Sequence, residues 1–178
     1  MNNQEFKTLI RTVPNFPKPG IMFRDVTTLL KDKVGFAAMI DNFKERYLKY
    51  DIDYIAGIES RGFIIGAGLA YALNKGFIPV RKKGKLPGKT ISVNYQLEYG
   101  TDTLEIHEDS LPKYSKVLLV DDLLATGGTA LGAIELIEKI GAQVIETCFI
   151  VDLPELRGGD KLRAKGYNYY HLVDFDGH

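Results

Sequence analysis

The sequence predicts an α/β fold, with a mostly parallel, five-stranded, doubly wound sheet and helices on both of its faces. Short apolar runs of strand length alternate with longer segments of helical periodicity, which is the pattern of parallel α/β proteins. The apolar runs are nearly continuous, as expected for strands that are covered on both faces. The length of 178 residues suits one domain with a proper core. We therefore predict a single domain over residues 1–178, with a small flexible hood, or flap, at roughly residues 82–106.

The composition argues against several classes of partner. The chain has 23 basic and 23 acidic residues, and this zero formal charge gives no indication of nucleic acid or an anionic membrane surface. No stretch approaches the roughly 18 apolar residues of a membrane span, and Met1 to Glu5 is too polar to open a signal peptide. The single cysteine, Cys148, allows no intrachain disulfide and suits a reducing cytosol. We therefore expect a cytoplasmic protein without nucleic-acid or membrane partners.

The first segments predict a helix followed by an extended arm. Phe6–Val13 has apolar residues at helical spacing, and the prolines from Pro14 to Pro19 force the chain into an extended path. From the residues alone, the arm through Ile21–Val26 is best explained as a cover for the core. A helix over roughly Val34–Tyr50 follows, with one buried stripe.

A strand, a tight turn and a helix come next, at Tyr54–Ile58, residues 59–62 and Phe63–Leu73. Such a turn presents backbone N–H groups to an anion at the start of a helix. Arg61 adds a planar fork of donors. An ordinary βα turn with a surface arginine explains the same residues equally well.

The strand Phe77–Arg81 leads into a basic loop. Arg81, Lys82, Lys83, Lys85 and Lys89 lie within nine positions. A charge run is usually a solvated face, but a basic loop at the carboxyl end of a strand could also close over a polyphosphate and exclude water.

Two strands are predicted to pair as the hood, Ile91–Leu97 and Thr103–Ile106. Glu98 lies in the turn between them, and the residues alone favour an exposed carboxylate there. The preceding segment, Gly84–Thr90, resembles a P-loop but is one residue too short for it.

The clearest functional pattern is Val117–Thr129. An apolar strand is followed by Asp121 and Asp122, at the edge where open α/β sheets bind ligands. Carboxylates accept hydrogen bonds, so this pair favours hydroxyl groups. The small residues Ala125, Thr126, Gly127, Gly128 and Thr129 precede a helix over Ala130–Ile140, and their N–H groups would form a phosphate cradle. A diol beside a phosphate describes a ribose 5-phosphate.

The last third predicts a long strand, a helical turn and a final strand, at Gln143–Val151, Lys161–Lys165 and Tyr167–Val173. Cys148 is best explained as a core residue. The loop at residues 152–156 could border a nucleotide. The three histidines show no ligand spacing, so no protein-bound zinc is predicted.

The run Asp-Asp-Leu-Leu-Ala-Thr-Gly-Gly-Thr at residues 121–129 resembles the phosphoribosyl-pyrophosphate (PRPP) signature of the type I phosphoribosyltransferases, most closely that of the adenine-specific members. The resemblance extends to the Phe-Pro-x-Pro-Gly-x-x-Phe-Arg-Asp segment at residues 16–25 and to Leu-Glu-Tyr-Gly at 97–100, and thus covers nearly the whole chain. It implies transfer of the 5-phosphoribosyl group of PRPP to N9 of adenine, giving AMP and pyrophosphate. It also implies Mg²⁺ as the cofactor and a homodimer.

The resemblance assigns roles to particular residues. The catalytic residues would be Glu98, Asp121 and Asp122, with Glu98 a general acid near N7 of adenine. The 5′-phosphate would be bound by Ala125, Thr126, Gly127, Gly128 and Thr129, and the pyrophosphate by Glu59, Ser60, Arg61, Arg81, Lys82 and Lys85. Met22 and Arg24 would flank adenine through backbone groups, and Tyr99 would cover it. The Glu59–Ser60 peptide would be cis, and Mg²⁺ would be held mainly by PRPP, without dedicated protein ligands.

Two other functions stay open at the level of sequence. One is a phosphoribosyltransferase for another purine base, such as xanthine or guanine. The other is a non-catalytic regulator that senses PRPP.

Overall fold

A computed structural model of the protein describes residues 1–97 and 99–177. The helices are α1 (Asn3–Leu9), α2 (Thr27–Lys31), α3 (Lys33–Tyr47), α4 (Arg61–Leu73), α5 (Gly128–Ile140) and α6 (Gly158–Ala164), with a 3-10 turn at Pro154–Leu156. The strands are β1 (Arg11–Pro14), β2 (Met22–Asp25), β3 (Tyr54–Ile58), β4 (Gly76–Lys82), β5 (Thr90–Gln96), β6 (Thr101–His107), β7 (Lys116–Leu124), β8 (Gln143–Asp152) and β9 (Tyr169–Asp174).

The main sheet has the strand order β5-β6-β4-β3-β7-β8-β9. The five strands from β4 to β9 in this order are parallel to one another, which confirms the parallel α/β prediction. The predicted number of five strands for the whole sheet was wrong, because the sheet has seven. The end of β4 pairs antiparallel with β6, at Arg81↔Glu105 and Lys82↔Leu104, so the two hood strands extend the sheet instead of standing apart from it.

Helices cover both faces of the sheet, as predicted. Along β7, Leu118 and Val120 join a buried cluster with residues of α3 and α4. Val117 and Leu119 point to the other face and join a cluster with α5. The nearly continuous apolar run of β7 therefore reflects burial on two sides.

The first predicted helix, Phe6–Val13, was too long. The helix α1 ends at Leu9, and Arg11–Pro14 forms β1, which pairs antiparallel with β2. Thr12 and Val13 are β-branched residues with a preference for strands, and their partner strand comes from the arm that the prolines extend. This arm is therefore part of a two-stranded sheet.

The elements around the acidic pair begin and end differently from the prediction. The strand β7 continues to Leu124, because Asp121 and Leu123 pair with Phe149 and Val151 of β8. The two carboxylates thus lie within the last residues of β7, still at its carboxyl end. The helices α4 and α5 begin two residues earlier than predicted, at Arg61 and Gly128, so both turns lead directly into a helix.

Cys148 lies in β8, fully buried and free, which agrees with the core position expected for it. In the described part of the chain, no helix has both the length and the apolar character needed to cross a bilayer.

Candidate active site

A cavity of about 270 Å³ opens at the carboxyl edge of the parallel strands, beneath the hood. It brings together residues from distant parts of the sequence, from Ile58 to Phe149. Of the residues predicted for the site, those lining it are Glu59, Ser60, Arg61, Lys82, Asp121, Asp122, Ala125, Thr126, Gly127, Gly128 and Thr129. The hood contributes Tyr95, Leu97 and Leu104, none of which was predicted as a site residue.

The two neighbouring carboxylates have different surroundings. Asp122 is only 8% exposed and accepts a hydrogen bond from Nε of Arg61, with which it forms an ion pair. Oδ1 of Asp121 accepts the backbone N–H of Asp122 at 2.8 Å. Burial raises the pKa of Asp121 well above its ordinary value, and the charge of Asp122 raises it further. The ionised form of Asp121 is therefore disfavoured in the folded protein, and a cation in the cavity would stabilise it.

The glycine-rich loop at residues 125–129 also lines the cavity. Gly127 has φ +86°, a left-handed conformation that favours glycine, and it caps the start of α5. No described residue accepts a hydrogen bond from the backbone N–H groups of Gly127, Gly128 or Thr129. These groups lie at the positive end of the helix dipole, so the loop has the donors and the potential of an anion site.

The loop is also tightly enclosed. A Cβ built on Gly128 would lie 2.1 Å from the carbonyl oxygen of Gln96, at the end of hood strand β5. A Cβ on Gly158, the first residue of α6, would lie 2.3 Å from the carbonyl oxygen of Ala125. Only glycines permit these approaches of backbone to backbone, so the hood and the start of α6 both rest directly on the loop.

The turn after β3 faces the same cavity. Its Glu59–Ser60 peptide is cis, as the resemblance implied. Oε1 of Glu59 accepts the backbone N–H of Lys82 at 2.7 Å and lies 3.2 Å from Nε of Arg81. Glu59 therefore fastens this turn to the end of β4, and Arg81 is connected to the site through Glu59 without lining the cavity.

Lys85, like Arg81, does not line the cavity, and unlike Arg81 it is not connected to it through Glu59. It is exposed and follows Gly84, whose φ of +80° turns the loop toward β5. A sequence pattern can identify a basic loop, but which of its side chains face the cavity depends on turns of the backbone such as the one at Gly84.

A second, smaller cavity of about 110 Å³ adjoins the first. Met22 and Arg24 of β2 line it, together with Leu153 and Leu156 beyond β8. It shares Arg61, Asp122 and Leu123 with the larger cavity, so the two spaces meet at the ion pair. Its walls are largely aliphatic or aromatic, which suits a flat heterocycle.

The sequence reasoning named only some of the residues of this smaller cavity. Leu123 was not predicted as a binding residue. Phe23 lies in the segment that lines the adenine site by the resemblance, and Leu153 and Leu156 lie in the loop that was expected to border a nucleotide, but none of these three was assigned a role of its own. Apolar residues of this kind resemble core residues in a sequence, and only their position beside the ion pair identifies them.

Two further site residues, Tyr99 and Glu98, were predicted between the hood strands. Tyr99 is 74% exposed and lines neither cavity, and Nζ of Lys18 lies 4.6 Å from the centre of its ring. Glu98 lies outside the described residues, so its predicted role is carried by the resemblance alone.

The carboxylates fit the ligand chemistry of Mg²⁺, which prefers oxygen and retains waters and phosphate ligands. Among residues 1–97 and 99–177, no three acidic, histidine or cysteine side chains cluster in a way that could hold a metal ion. The donors that face the cavity are Asp121 and Asp122, and Asp122 is already paired with Arg61.

Comparison with known proteins gives a consistent result. A family model described as the phosphoribosyl transferase domain matches residues 25–172. Adenine phosphoribosyltransferase from Chlorobium luteolum is 61% identical over 96% of this chain and 98% of its own length. The crystal structure of adenine phosphoribosyltransferase from Thermoanaerobacter pseudethanolicus superimposes with a TM-score of 0.93 at 46% identity, covering 98% of this chain and 100% of that one. The enzyme from Saccharomyces cerevisiae, solved with an imino-altritol bisphosphate and adenine, has a TM-score of 0.89 at 42% identity, with 96% and 97% covered.

Proposed function

The chain belongs to the phosphoribosyltransferase family, and we propose that its two adjoining cavities bind the two substrates of the adenine-specific reaction. The protein transfers the phosphoribosyl group of PRPP to adenine, as its relatives of near-full length indicate. One observation carries the assignment of the residues. The acidic pair and the N–H groups at the start of α5 face one cavity, and the apolar pocket opens beside it at Arg61 and Asp122.

PRPP occupies the larger cavity in this proposal. The N–H groups of Ala125–Thr129 bind the 5-phosphate, helped by the positive end of α5. The carboxylates of Asp121 and Asp122 accept hydrogen bonds from the ribose hydroxyls. Only Leu123 and Leu124 separate the acidic pair from the loop in the sequence, and both sets line the same cavity, so one sugar phosphate can contact both.

The pyrophosphate lies on the side of the turn at Glu59–Arg61. Arg61 offers a planar guanidinium, whose direction is set by its ion pair with Asp122. Lys82 lies at the end of β4 and lines the same cavity. Arg81 contributes to this group of residues only indirectly, because its side chain forms an ion pair with Glu59. The role predicted for Lys85 has no support from its position and rests on the resemblance.

The reaction forms a bond between N9 of adenine and C1 of the ribose, while the bond from C1 to pyrophosphate breaks and its electron pair leaves with the pyrophosphate. The proton that adenine carries on its imidazole ring is released to water in the same conversion. Positive charge develops at C1 and the ring oxygen. The ionised form of Asp121 is disfavoured by burial before substrate binds. A developing cation nearby offsets that penalty, so Asp121 stabilises the transition state more than the ground state.

Mg²⁺ is the proposed cofactor, held mainly by the oxygens of PRPP, with Asp121 and Asp122 as the nearest protein carboxylates. When bound, it would supply positive charge that balances the pyrophosphate. The protein's own part is to orient the sugar through the acidic pair and to hold Arg61 beside the leaving group.

Adenine occupies the smaller cavity, between β2 and the segment after β8. The guanidinium of Arg24 points away from it, toward Thr12 and the carbonyl of Asp176. This leaves the backbone of Met22–Arg24 as the polar edge of the pocket, in keeping with the backbone recognition that the resemblance implies. Tyr99 and Glu98 keep their proposed roles in the hood, as a cover and as a general acid.

A panel of bases with PRPP and Mg²⁺ tests this function. We expect AMP and pyrophosphate from adenine, detected by chromatography and by a coupled pyrophosphate assay. Turnover of xanthine or guanine without turnover of adenine would contradict the assignment, and PRPP binding without turnover of any base would favour the regulator. A crystal structure with AMP is the structural test, because the phosphate of AMP must lie against residues 125–129.

We also propose a homodimer that forms through the outer face of α4. Ile64 is 48% and Tyr71 is 90% exposed, and exposed Ala67 lies between them on the same face. This apolar stripe begins one turn beyond Arg61, so a second copy packed on it would lie close to the active site.

Sedimentation of the purified protein tests the dimer. We expect a dimer for the wild type and a monomer for the double variant Ile64→Ser, Tyr71→Ser. Tyr114→Ser is the matched control, because Tyr114 is 86% exposed but lies outside α4. A wild-type monomer, or a double variant that stays dimeric, would contradict the proposal. The cytoplasmic location stays a prediction.

A further inference from the structure

The adenine pocket has two walls that come from distant parts of the chain. One wall is β2, with Met22 and Arg24, and the other is the segment after β8, with Leu153 and Leu156. The strand β2 belongs to the two-stranded sheet with β1, whereas the other wall directly follows β8 of the main sheet. Their separation sets the width of the pocket, so a contact that joins them would control how well a flat base fits.

Residues 174–176 make such a contact, and we call them the tail strap. At one end, the register of β9 on β8 pairs Asp174 with Asp152. The backbone N–H of Phe175 then donates to the carbonyl oxygen of Asp152 at 3.1 Å. Asp152 immediately precedes Leu153, so the strap is fixed to the wall that carries this leucine.

The other side of the tail strap holds Arg24. Its Cζ lies 4.4 Å from the centre of the Phe175 ring, close enough for a cation–π interaction. Its Nη2 donates to the carbonyl oxygen of Asp176 at 3.0 Å, and its Nη1 donates to Oγ1 of Thr12 at 2.6 Å. The guanidinium is therefore occupied by the strap and by β1, and the position of β2 depends on both.

We propose that Phe175 is a positioning residue for adenine, which holds the two walls of the base pocket at the separation that the base requires. This role for Phe175 rests on the proposed function, because that function assigns the pocket to adenine. Phe175 does not line the pocket, so it acts through Arg24 on one wall and Asp152 on the other. A preformed pocket spares the base the cost of ordering its own site.

Steady-state kinetics with Phe175→Ala tests this role. Loss of one partly buried cation–π contact should raise the KM for adenine by about five- to tenfold. The kcat at saturating adenine and the KM for PRPP should stay within about twofold of wild type, because the larger cavity has no contact with the strap. Phe175→Tyr keeps an aromatic face and should restore the wild-type KM for adenine.

Lys7→Ala is the matched control. Nζ of Lys7 lies 5.5 Å from the centre of the same ring, and its ion pair with Asp174 is partly exposed. Lys7 lies in α1 and contributes nothing to β2, so its removal should leave both KM values unchanged.

Several outcomes would overturn the proposal. One is an unchanged KM for adenine in Phe175→Ala. Another is a parallel change in kcat and in both KM values together with a lower melting temperature, which a merely structural role would give. If Phe175→Ala does not fold, Phe175→Leu takes its place, since leucine keeps apolar volume without an aromatic face. A wild type without adenine turnover would refute the proposed function, and with it this role, whereas normal wild-type turnover with unaltered variants refutes the tail strap alone.

Discussion

The adjacent carboxylates Asp121 and Asp122 should respond in opposite ways to the same substitution. Asp122 is buried and paired with Arg61, so Asp122→Asn removes the anionic partner of a guanidinium. Asp121 has a pKa raised first by burial and then by Asp122, so its ionised form is disfavoured in the folded protein. We therefore expect Asp122→Asn to lower stability and Asp121→Asn to preserve or raise it near neutral pH.

The magnitude for Asp122 follows from its contact. A hydrogen bond to a charged group contributes about 1.5–3 kcal/mol, and the side chain of Arg61 is 40% exposed, which favours the lower limit. A loss of about 1.5 kcal/mol corresponds to a fall in melting temperature of about 3–6 °C for a chain of this length. The affinity for PRPP should fall by about tenfold or more, because Asp122 both faces the sugar site and directs Arg61.

The sign for Asp121 depends on pH. A carboxyl group whose pKa is raised on folding contributes its full stability below the unfolded value, and loses it as the pH rises through the folded value. Asn does not titrate, so the stability advantage of Asp121→Asn over wild type should be largest near neutral pH. It should disappear toward about pH 4, the ordinary pKa range of aspartate.

Calorimetric melting across pH and titration calorimetry with PRPP and Mg²⁺ measure these effects. Both variants should lose turnover, whereas only Asp122→Asn should lose stability. If Asp121→Asn melts as low as Asp122→Asn at neutral pH, the account of its burial is wrong. If Asp122→Asn binds PRPP with wild-type affinity, its role in the site is wrong.

Three other predictions address the rest of the molecule. Glu98→Gln should lower kcat without lowering the melting temperature, and an unchanged kcat would remove Glu98 from the mechanism. Gly128→Ala should greatly weaken PRPP binding in calorimetry, because its Cβ would lie 2.1 Å from the carbonyl oxygen of Gln96; unchanged affinity would contradict the close contact of hood and loop. Glu146→Gln should lower the free energy of unfolding by about 2 kcal/mol in thermal melts, because buried Glu146 accepts two hydrogen bonds of 3.0 Å from Arg46. The kcat of this variant should equal that of the wild type, and a lower kcat would link this distant ion pair to the reaction.

Gly68→Ala is a control for the glycine variant. Gly68 lies in α4, and a Cβ there would meet the flexible end of the Ile40 side chain at 3.0 Å. This side chain can move, whereas the carbonyl of Gln96 belongs to a paired strand, so only Gly128→Ala should affect PRPP binding.

The sequence by itself predicted the main strands and helices and the centre of the candidate site. Apolar runs predicted the parallel strands, and the order of acidic pair, small residues and helix at 121–129 predicted an anion site beside two carboxylates. These features depend on neighbours in the chain, because side-chain periodicity and the N–H groups at a helix N-terminus are local properties.

Only the tertiary structure decided which distant segments meet. Because β4 pairs with β6, the two hood strands join the main sheet, which has seven strands instead of the predicted five. The contact of Arg61 with Asp122 joined the two cavities, and Leu153 became part of a pocket wall although its apolar side chain resembles a core residue. The cation–π contact between Phe175 and Arg24 likewise cannot be recognised from the sequence around either residue. Such contacts depend on strand order and register, which long-range packing selects and which the residues of one short segment do not encode.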